Sequence, residues 1–503
     1  MGMDTKGGNM KHAILLLWHK DMEQLKELLR FFDADFTFYI HIDKKTAITP
    51  DIVRSLQDIH PQIKLWSKYK VFWGGIGILE AELFLMEKIV EDGGYDYVHL
   101  MSGQDYPVKR LDEIKSYFKD YKGWEFVEYM PLPDEKWEQG TYRRFELYRL
   151  NDCMDYHSPK GYKWINRINT LQQRCGIKRS IPDHFPRLYG GSNWMSITYG
   201  CATYIIRNRS KHRHFFRRLR FTFAPDEVYF HTVILNSPFA EKVTGNNLRL
   251  VIWNGKSGSP ETLTEKHWWE VATTDRLIAR KVDRQKSALL LNNLHRYILY
   301  PEKVSVSDSG YWTSNSLKGH VYDNGLSTAL LNLLPYLHVR TMADLGCGPG
   351  WYVAMLRRNG YDVHGYDGNP AVEEMSSLFF EDGFYCQNVD LTEELEAEEP
   401  FDMVISLEVG EHIPERWESI YIDNLTRNAR SYILMSWAVE GQPGDGHVNG
   451  RSNEYVINQM KSRGYTINWP VSRYLRKSAS LWWFKNTIML FERRSLWNQV
   501  PRI

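Results

Sequence analysis

Residues 341–367 run through one complete strand–loop–helix–strand cycle, and the loop inside it leaves few folds open. The run 341–345 is strand-like. Asp344-Leu345-Gly346-Cys347-Gly348-Pro349-Gly350 then leads into a helical pattern, and 362–366 is a second strand. Glycines at such a junction permit a tight turn and let a ligand approach the backbone at the helix N-terminus. Asp367 ends the second strand, 21 residues after Gly346, where a carboxylate can accept both hydroxyls of a ribose. Asp390 follows the third strand, where an adenine edge would lie. The loop reads GxGxG, not the dinucleotide pattern GxGxxG. A parallel α/β sheet with a nucleoside at its carboxyl edge is the expectation.

That cycle occupies only the second half of 503 residues, a length too great for one core; about 150 residues per domain gives two to four. The first half alternates in its own right, which is the α/β signature. Strands are expected at 13–18, 36–42 and 97–101, with helices at 21–32 and 78–90. A helical pattern at 284–300 meets Pro301 and a polar stretch, Ser305 to Ser309, before a helix at 324–334. The predicted organisation is therefore a domain over 11–300, a linker over 301–310 and a second domain over 311–494.

Composition excludes several classes. The net charge of +1 gives no global field for nucleic acid, and none is expected as a partner. The five cysteines (Cys153, Cys175, Cys201, Cys347, Cys386) form no CxxC pair, which argues against a zinc site or a disulfide framework and for a reducing compartment. The polar start and the short apolar run 13–18 fall below the roughly 20 residues of a membrane span. No signal peptide or transmembrane anchor is expected, and the cytoplasm is the expected location.

Over residues 311–494 the sequence resembles class I S-adenosylmethionine-dependent methyltransferases. The resemblance rests on the glycine loop, Tyr366-Asp367, Asn388-Val389-Asp390 and Phe401-Asp402-Met403-Val404-Ile405-Ser406-Leu407-Glu408. It extends to 481–484 and 487–492, which fit the family's closing antiparallel hairpin. It implies a Rossmann-like domain and S-adenosylmethionine as methyl donor, bound by Asp344, Gly346, Gly348, Gly350, Asp367, Asp390 and Leu407. Sulfonium methyl transfer is an in-line displacement, so alignment supplies much of the rate; a hydroxyl acceptor also needs a base. His412 and His447 are candidates, with Glu411 and Asp445 nearby, and either histidine can instead be structural. His447 is favoured because Gly444-Asp445-Gly446 reads as an active-site loop.

Three segments organise the first half. They are Phe38-Tyr39-Ile40-His41-Ile42-Asp43; Tyr97 through Ser102-Gly103-Gln104-Asp105-Tyr106-Pro107; and Phe223-Ala224-Pro225-Asp226-Glu227-Val228-Tyr229-Phe230-His231-Thr232-Val233, leading to Asn236-Ser237-Pro238. With Trp73-Gly74-Gly75, Gly190-Gly191-Ser192-Asn193-Trp194, Asn246-Asn247-Leu248-Arg249, Gly258-Ser259-Pro260 and Ala279-Arg280-Lys281, residues 11–299 resemble the core-2/I-branching β-1,6-N-acetylglucosaminyltransferases and peptide O-xylosyltransferases. The resemblance implies a GT-A-type fold, a UDP-sugar donor carrying N-acetylglucosamine or xylose, inversion at the anomeric carbon, no metal, and a glycan or glycoconjugate acceptor. Glu227 matches the family's base, with Asp226 its rival. Leu17, Asp43, Val71, Phe72, Trp73, Asn193, Trp194 and Ser259 would line the donor site, Trp194 stacking on a sugar. Arg280 and Lys281 match the pair that neutralises the diphosphate, and Arg249 is a further phosphate candidate.

Metal independence has separate support in the residues. A metal-binding DxD belongs after a central strand, and Ser102-Gly103-Gln104 stands there; Asp33-Ala34-Asp35 precedes its strand and reads as a solvated turn. The run 207–220, from Arg207 to Arg220, carries seven Lys/Arg. It reads as a solvated helix face, with contact to anionic lipid head groups at the inner membrane as the alternative. The whole is expected to be a bifunctional enzyme that builds and methylates one glycan. The alternatives are a glycosyltransferase whose methyltransferase-like half only binds or scaffolds, and a sugar-binding protein without transfer activity.

Overall fold

The computed structural model describes residues 9–134, 143–255, 259–317, 319–320, 322–380 and 383–494; Gly258 of the Gly258-Ser259-Pro260 match lies outside them. The chain divides into two compact units. The first is Met1–Thr264 with Thr274–Ala288, and the second is Glu265–Thr273 with Leu289–Ile503.

The first unit contains β1 (His12–Trp18), β2 (Phe36–Ile42), β3 (Ile63–Trp66), β4 (Tyr97–Ser102), β5 (Asp105–Pro107), β6 (Phe126–Val127), β7 (Met130–Pro131), β8 (Tyr189–Gly190), β9 (Met195–Thr198), β10 (Arg249–Val251) and β11 (Ile278–Arg280). Its main sheet has the order β3-β2-β1-β4-β9-β6. Strands β1 to β4 pair in parallel, and β9 runs antiparallel to both β4 and β6. Strand β2 is buried along its whole length and β1 at every residue but Leu17, as strands covered on both faces must be. A three-stranded sheet, β10-β11-β5, lies beyond the end of β4, and β7 pairs with β8. Asp21 starts the helix Met22–Phe31 by accepting the Gln24 amide at 3.0 Å. The apolar helix Ile76–Asp92 buries Leu79, Leu83 and Met86, and the helix Asp226–Leu235 is buried over most of its length.

The second unit contains β12 (Thr341–Leu345), β13 (Asp362–Asp367), β14 (Cys386–Asn388), β15 (Phe401–Ser406), β16 (Ala429–Met435), β17 (Tyr465–Ile467) and β18 (Met489–Arg493). They form one seven-stranded sheet of order β14-β13-β12-β15-β16-β18-β17. The first five pair in parallel, and β18 is inserted antiparallel between β16 and β17. The strand order reverses at β12, so the crevice beside its carboxyl end is where such sheets take ligands. The helix Asn324–Leu337 begins at Asp323, which accepts the Leu326 amide at 2.8 Å.

Two expectations need correction here. The partner of the last strand is Tyr465–Ile467, not 481–484. The amides of Ser480 and Leu481 donate to the Asp323 carboxylate, each at 2.8 Å, which ties that segment to the start of a helix and away from the sheet edge. The division between units also falls at Leu289, before the polar stretch 301–310. Tyr297 and Leu299 are buried, and Trp268 of the early segment stacks on Phe379 at 6.4 Å, so apolar burial carries the second unit upstream of the polar stretch. All five cysteines are free. No helix among the described residues is long and apolar enough to cross a membrane.

Candidate active sites

In the first unit the end of β4 faces β11. Where a metal-binding carboxylate would stand, Ser102 instead accepts a hydrogen bond from Arg280 Nη1 at 2.5 Å. The same nitrogen pairs with Asp105 Oδ1 at 2.7 Å, and Asp105 is fully buried. The Asp105 carboxylate also receives the Ser102 amide at 2.7 Å. Arg280 is thus held in place by a charge-assisted pair with a half-sheltered face left over. Its guanidinium lies 4.0 Å from the centre of the Trp194 ring, so Arg280 covers one face of that indole. The next residue, Lys281, makes no ion pair among the described residues. Burial, followed by the charges of Arg280 and Lys20, pushes its ammonium below the ordinary lysine range. Lys20, Arg280 and Lys281 thus outnumber the carboxylates beside them, Asp105 and Asp283, and a local excess of positive charge suits an anion.

The second cluster is acidic. Glu227 lies in the first turn of Asp226–Leu235, and its side chain keeps 32% exposure while Oε2 pairs with Arg144 at 2.6 Å. Asp226 beside it is buried and Oδ1 has no hydrogen-bond partner among the described residues. Burial, then the Glu227 charge, pushes the Asp226 carboxyl up to about 7. Behind them Glu82 is completely buried and accepts from Asn193 Nδ2 at 3.3 Å; burial and the neighbouring Asp226 raise it well above the carboxylate range. Of these three acids, Glu227 alone is both accessible and held by a cation. Glu82 and Arg144 were not singled out from sequence. Glu82 carries a signal all the same: it sits three residues after Leu79, on the buried face of an apolar helix.

The remaining candidates separate into lining and scaffold. Asp43 is buried; Oδ1 receives the amides of Lys45 at 3.0 Å and Val71 at 3.3 Å, and Oδ2 pairs with Lys45 at 3.3 Å. It therefore anchors the segment carrying Val71, Phe72 and Trp73, all half-buried, with the half-buried Leu17 nearby on β1. Trp73 packs against Tyr156, His157 and Phe223, with ring centres at 5.2, 5.1 and 5.1 Å. Ser259 is half-buried. Arg249 is scaffold. Its buried guanidinium donates to Ser196 Oγ and the Asn247, Leu100 and Met195 carbonyls at 2.9, 2.6, 3.0 and 3.2 Å, joining β4, β9 and β10, which leaves no face for a phosphate. The Asp33–Asp35 turn is ion-paired rather than solvated: Asp35 binds Lys11 at 2.7 Å and Lys115 at 2.6 Å, and Asp33 binds Lys115. The run 207–220 is only partly a free face, because Arg218 donates to the Ser180 and Phe145 carbonyls at 2.9 and 2.8 Å and Arg220 pairs with Glu80 at 3.4 Å.

In the second unit the glycine loop closes β12. Gly348 has φ +52°, and a Cβ there would stand 2.6 Å from the His320 ring; Gly350 has φ +83° and precedes the helix Trp351–Arg358. Both conditions select glycine. The Gly346 amide donates to the Tyr366 carbonyl at 2.7 Å, and Val409 lies against Gly346. Asp367 receives the amides of Gly348 and Asn369, each at 2.8 Å, so it braces the loop and retains one lone pair per oxygen. Asp344 is buried, and burial followed by the Asp367 charge pushes it up to about 8. Asp390 caps a turn, Oδ1 accepting from the Thr392 amide at 2.9 Å, and Leu407 is half-buried against the core. Beside this loop, past the end of β15, Glu411, His412 and His447 bring one ligand-type atom each within 4.8 Å of one another. Burial pushes His412 down to about 4, leaving a neutral imidazole.

Residues 13–277, more than half of the chain, match the family model of the core-2/I-branching enzymes, and residues 322–428 match a methyltransferase domain model. Among curated proteins, xylosyltransferase 2 of Rattus norvegicus is 25% identical over 362 residues, covering 65% of this chain and 38% of its own length. Xylosyltransferase oxt of Drosophila melanogaster is 24% identical over 327 residues, covering 60% of this chain and 35% of its own length. The chain thus spans little more than a third of these relatives. A solved structure, magnesium protoporphyrin IX methyltransferase from Synechocystis PCC 6803 with bound SAH, aligns over 33% of this chain and 81% of its own at 18% identity and TM-score 0.27. The chain belongs to the core-2/I-branching enzyme family, with a methyltransferase domain following its glycosyltransferase-like domain.

Proposed function

We propose that the first unit transfers xylose or N-acetylglucosamine from a UDP-sugar to an acceptor hydroxyl with inversion and without a metal, and that the second methylates a glycan, the same one, from S-adenosylmethionine. The observation that carries the reading is the isolation of Glu227. It is the accessible carboxylate of an acidic cluster whose other two members, Asp226 and Glu82, are buried and driven toward the neutral form. Glu227 takes the proton of the acceptor hydroxyl as that oxygen bonds the anomeric carbon from one face. The carbon–phosphate oxygen bond breaks on the other face, and the diphosphate leaves into the field of Arg280 and Lys281. Arg144, paired with Glu227, holds the carboxylate in one orientation.

In the second unit the close backbone approach at Gly346, Gly348 and Gly350, with Asp344, Asp367, Asp390 and Leu407, would hold the methyl donor. The acceptor atom bonds the methyl carbon as its bond to sulfur breaks, and His447 is the candidate for the proton of a hydroxyl acceptor. A lipid-facing role of 207–220 remains an alternative use of its exposed cations, Arg207, Lys211, Arg213 and Arg217.

Glu227→Gln tests the reading. Sugar transfer, measured as UDP release from UDP-xylose and UDP-N-acetylglucosamine, should fall by roughly 10²–10⁴ while calorimetric UDP binding is kept. Wild-type transfer by this variant would remove Glu227 from the role of base.

A further inference from the structure

The second unit carries a group of buried polar side chains whose arrangement apolar packing does not explain. Glu411 is completely buried beside the Glu408 carboxyl, and neither of its carboxylate oxygens meets an N–H or hydroxyl donor of good geometry among the described residues. A buried carboxylate left in that state costs several kcal/mol unless a cation or proton compensates it. His447 Nε2 stands 3.9 Å from Glu411 Oε1, too far for a hydrogen bond and suited to two ligands of one ion. His447 Nδ1 lies 3.0 Å from the Gln442 carbonyl, which can only accept. The proton is therefore on Nδ1, and Nε2 turns its lone pair toward Glu411, the second-shell arrangement that orients metal-binding histidines. The His412 ring stands edge-on to His447, with centres 4.9 Å apart.

The backbone supports the same cluster. Glu408, three residues earlier, is a non-glycine residue at φ +57°; its Oε2 accepts from Gln442 Nε2 at 2.9 Å, and its buried Oε1 meets no N–H or hydroxyl donor among the described residues. The Glu411 carbonyl accepts the amides of Val448 and Asn449, each at 2.9 Å, so the His447 loop is bound to the loop after β15. A Cβ on Gly444 would lie 2.1 Å from His447 Nε2; only glycine leaves the imidazole its place. Strain and unsatisfied polar atoms at one spot are features that folds retain at functional sites.

We infer that Glu411, His412 and His447 form a binding site for one divalent first-row transition-metal ion, with Glu408 as the flanking carboxylate. Two imidazoles and a carboxylate favour Mn²⁺, Fe²⁺, Co²⁺ or Zn²⁺ over the all-oxygen environment of Ca²⁺. Three protein ligands leave open positions, and the cluster lies past β15 beside the glycine loop, where Val409 touches Gly346. An oxygen-rich acceptor, such as neighbouring sugar hydroxyls, can fill those positions. That last role rests on the methyl-transfer reading and would make His447 a ligand in place of a base, its Nε2 lone pair being engaged; the cation site itself does not depend on that reading. The sequence reading assigned no metal ligand, because Glu411 and His447 lie in separate loops.

The test is a titration of the tag-free full-length chain with Mn²⁺, read by the electron paramagnetic resonance of free Mn²⁺, and with Co²⁺, read by visible absorption. One ion per chain should bind. Glu411→Gln and His447→Gln should each weaken binding by roughly tenfold or more. Gly444→Ala should do so too, without changing a ligand. Melting curves and calorimetric binding of S-adenosylhomocysteine report whether each variant is folded. Failure of the wild-type chain to bind either ion at millimolar concentration, or equal binding by folded variants, would overturn the inference. Mn²⁺ binding without S-adenosylhomocysteine binding would leave the cation site standing and remove the methyl-transfer reading instead.

Discussion

Replacing Asp226 by asparagine should flatten the dependence of the first unit's stability on pH. In the folded chain burial and the Glu227 charge hold this carboxyl at about 7, against 3.8 when solvated. Below pH 4 both folded and unfolded chains carry the proton. Between pH 4 and 7 only the folded chain does, so the unfolded state gains by ionising and stability falls as pH rises through that interval. Above 7 both states are ionised and the loss is complete. Three pH units at about 1.4 kcal/mol each set the loss at roughly 4 kcal/mol. Sharing of the proton with Glu82 and Glu227 lowers the part that belongs to Asp226, and roughly 2–4 kcal/mol should vanish in Asp226→Asn. Asp226→Asn also removes the part of the Glu82 shift that the Asp226 charge causes, so the difference between the two proteins reads the coupled pair. The assay is urea unfolding of the full chain at pH 5 and pH 8, followed by hydrogen exchange in peptides from Asp226–Leu235, which confines the readout to the first unit. Parallel pH dependences of wild type and variant would refute the assignment of a retained proton to Asp226.

The other predictions concern the two anion and nucleoside sites. Lys281→Ala should lower sugar-transfer turnover sharply while excess EDTA leaves that transfer unchanged; loss of transfer in EDTA that Mn²⁺ restores would overturn the role given to the cation pair. Asp367→Ala should weaken S-adenosylhomocysteine binding in calorimetry, because it removes both a ribose acceptor and the brace on the Gly348 amide, and should leave UDP release untouched. Equal damage to both activities would show that the two sites are coupled.

Much of the architecture was legible because it is written in short-range terms. The run 341–367 specifies a strand, a glycine turn and a helix within a few residues. The positive φ of Gly348 and Gly350 and the close approach of the His320 ring explain why those positions are glycine. The apolar runs 13–18 and 36–42 are strands as expected, and the structure adds that both are buried almost throughout. Ordered motifs over 11–299 carry the family resemblance, and the family match over 13–277 bears it out.

What only the tertiary structure decided depends on contacts between residues far apart in the chain. Arg249 has the composition of a phosphate ligand, yet the carbonyls of Leu100 and Met195 and the Ser196 hydroxyl surround its guanidinium inside the sheet, and no local pattern reveals that. The acidic cluster joins Glu82 to Asp226 and Glu227 across more than half of the first unit, and the burial that pushes the Glu82 and Asp226 carboxyls up while Glu227 stays accessible is a property of packing. Glu411 and His447 meet because two loops leave the same edge of one parallel sheet. Sequence by itself determined the principal parallel strands, the turn chemistry and the family, since dihedral preference and hydrophobic period act over a few residues, whereas the closing antiparallel pair was misplaced. Which polar groups are buried, paired or left unsatisfied was decided by the fold, since desolvation and charge depend on every chain segment that closes around them.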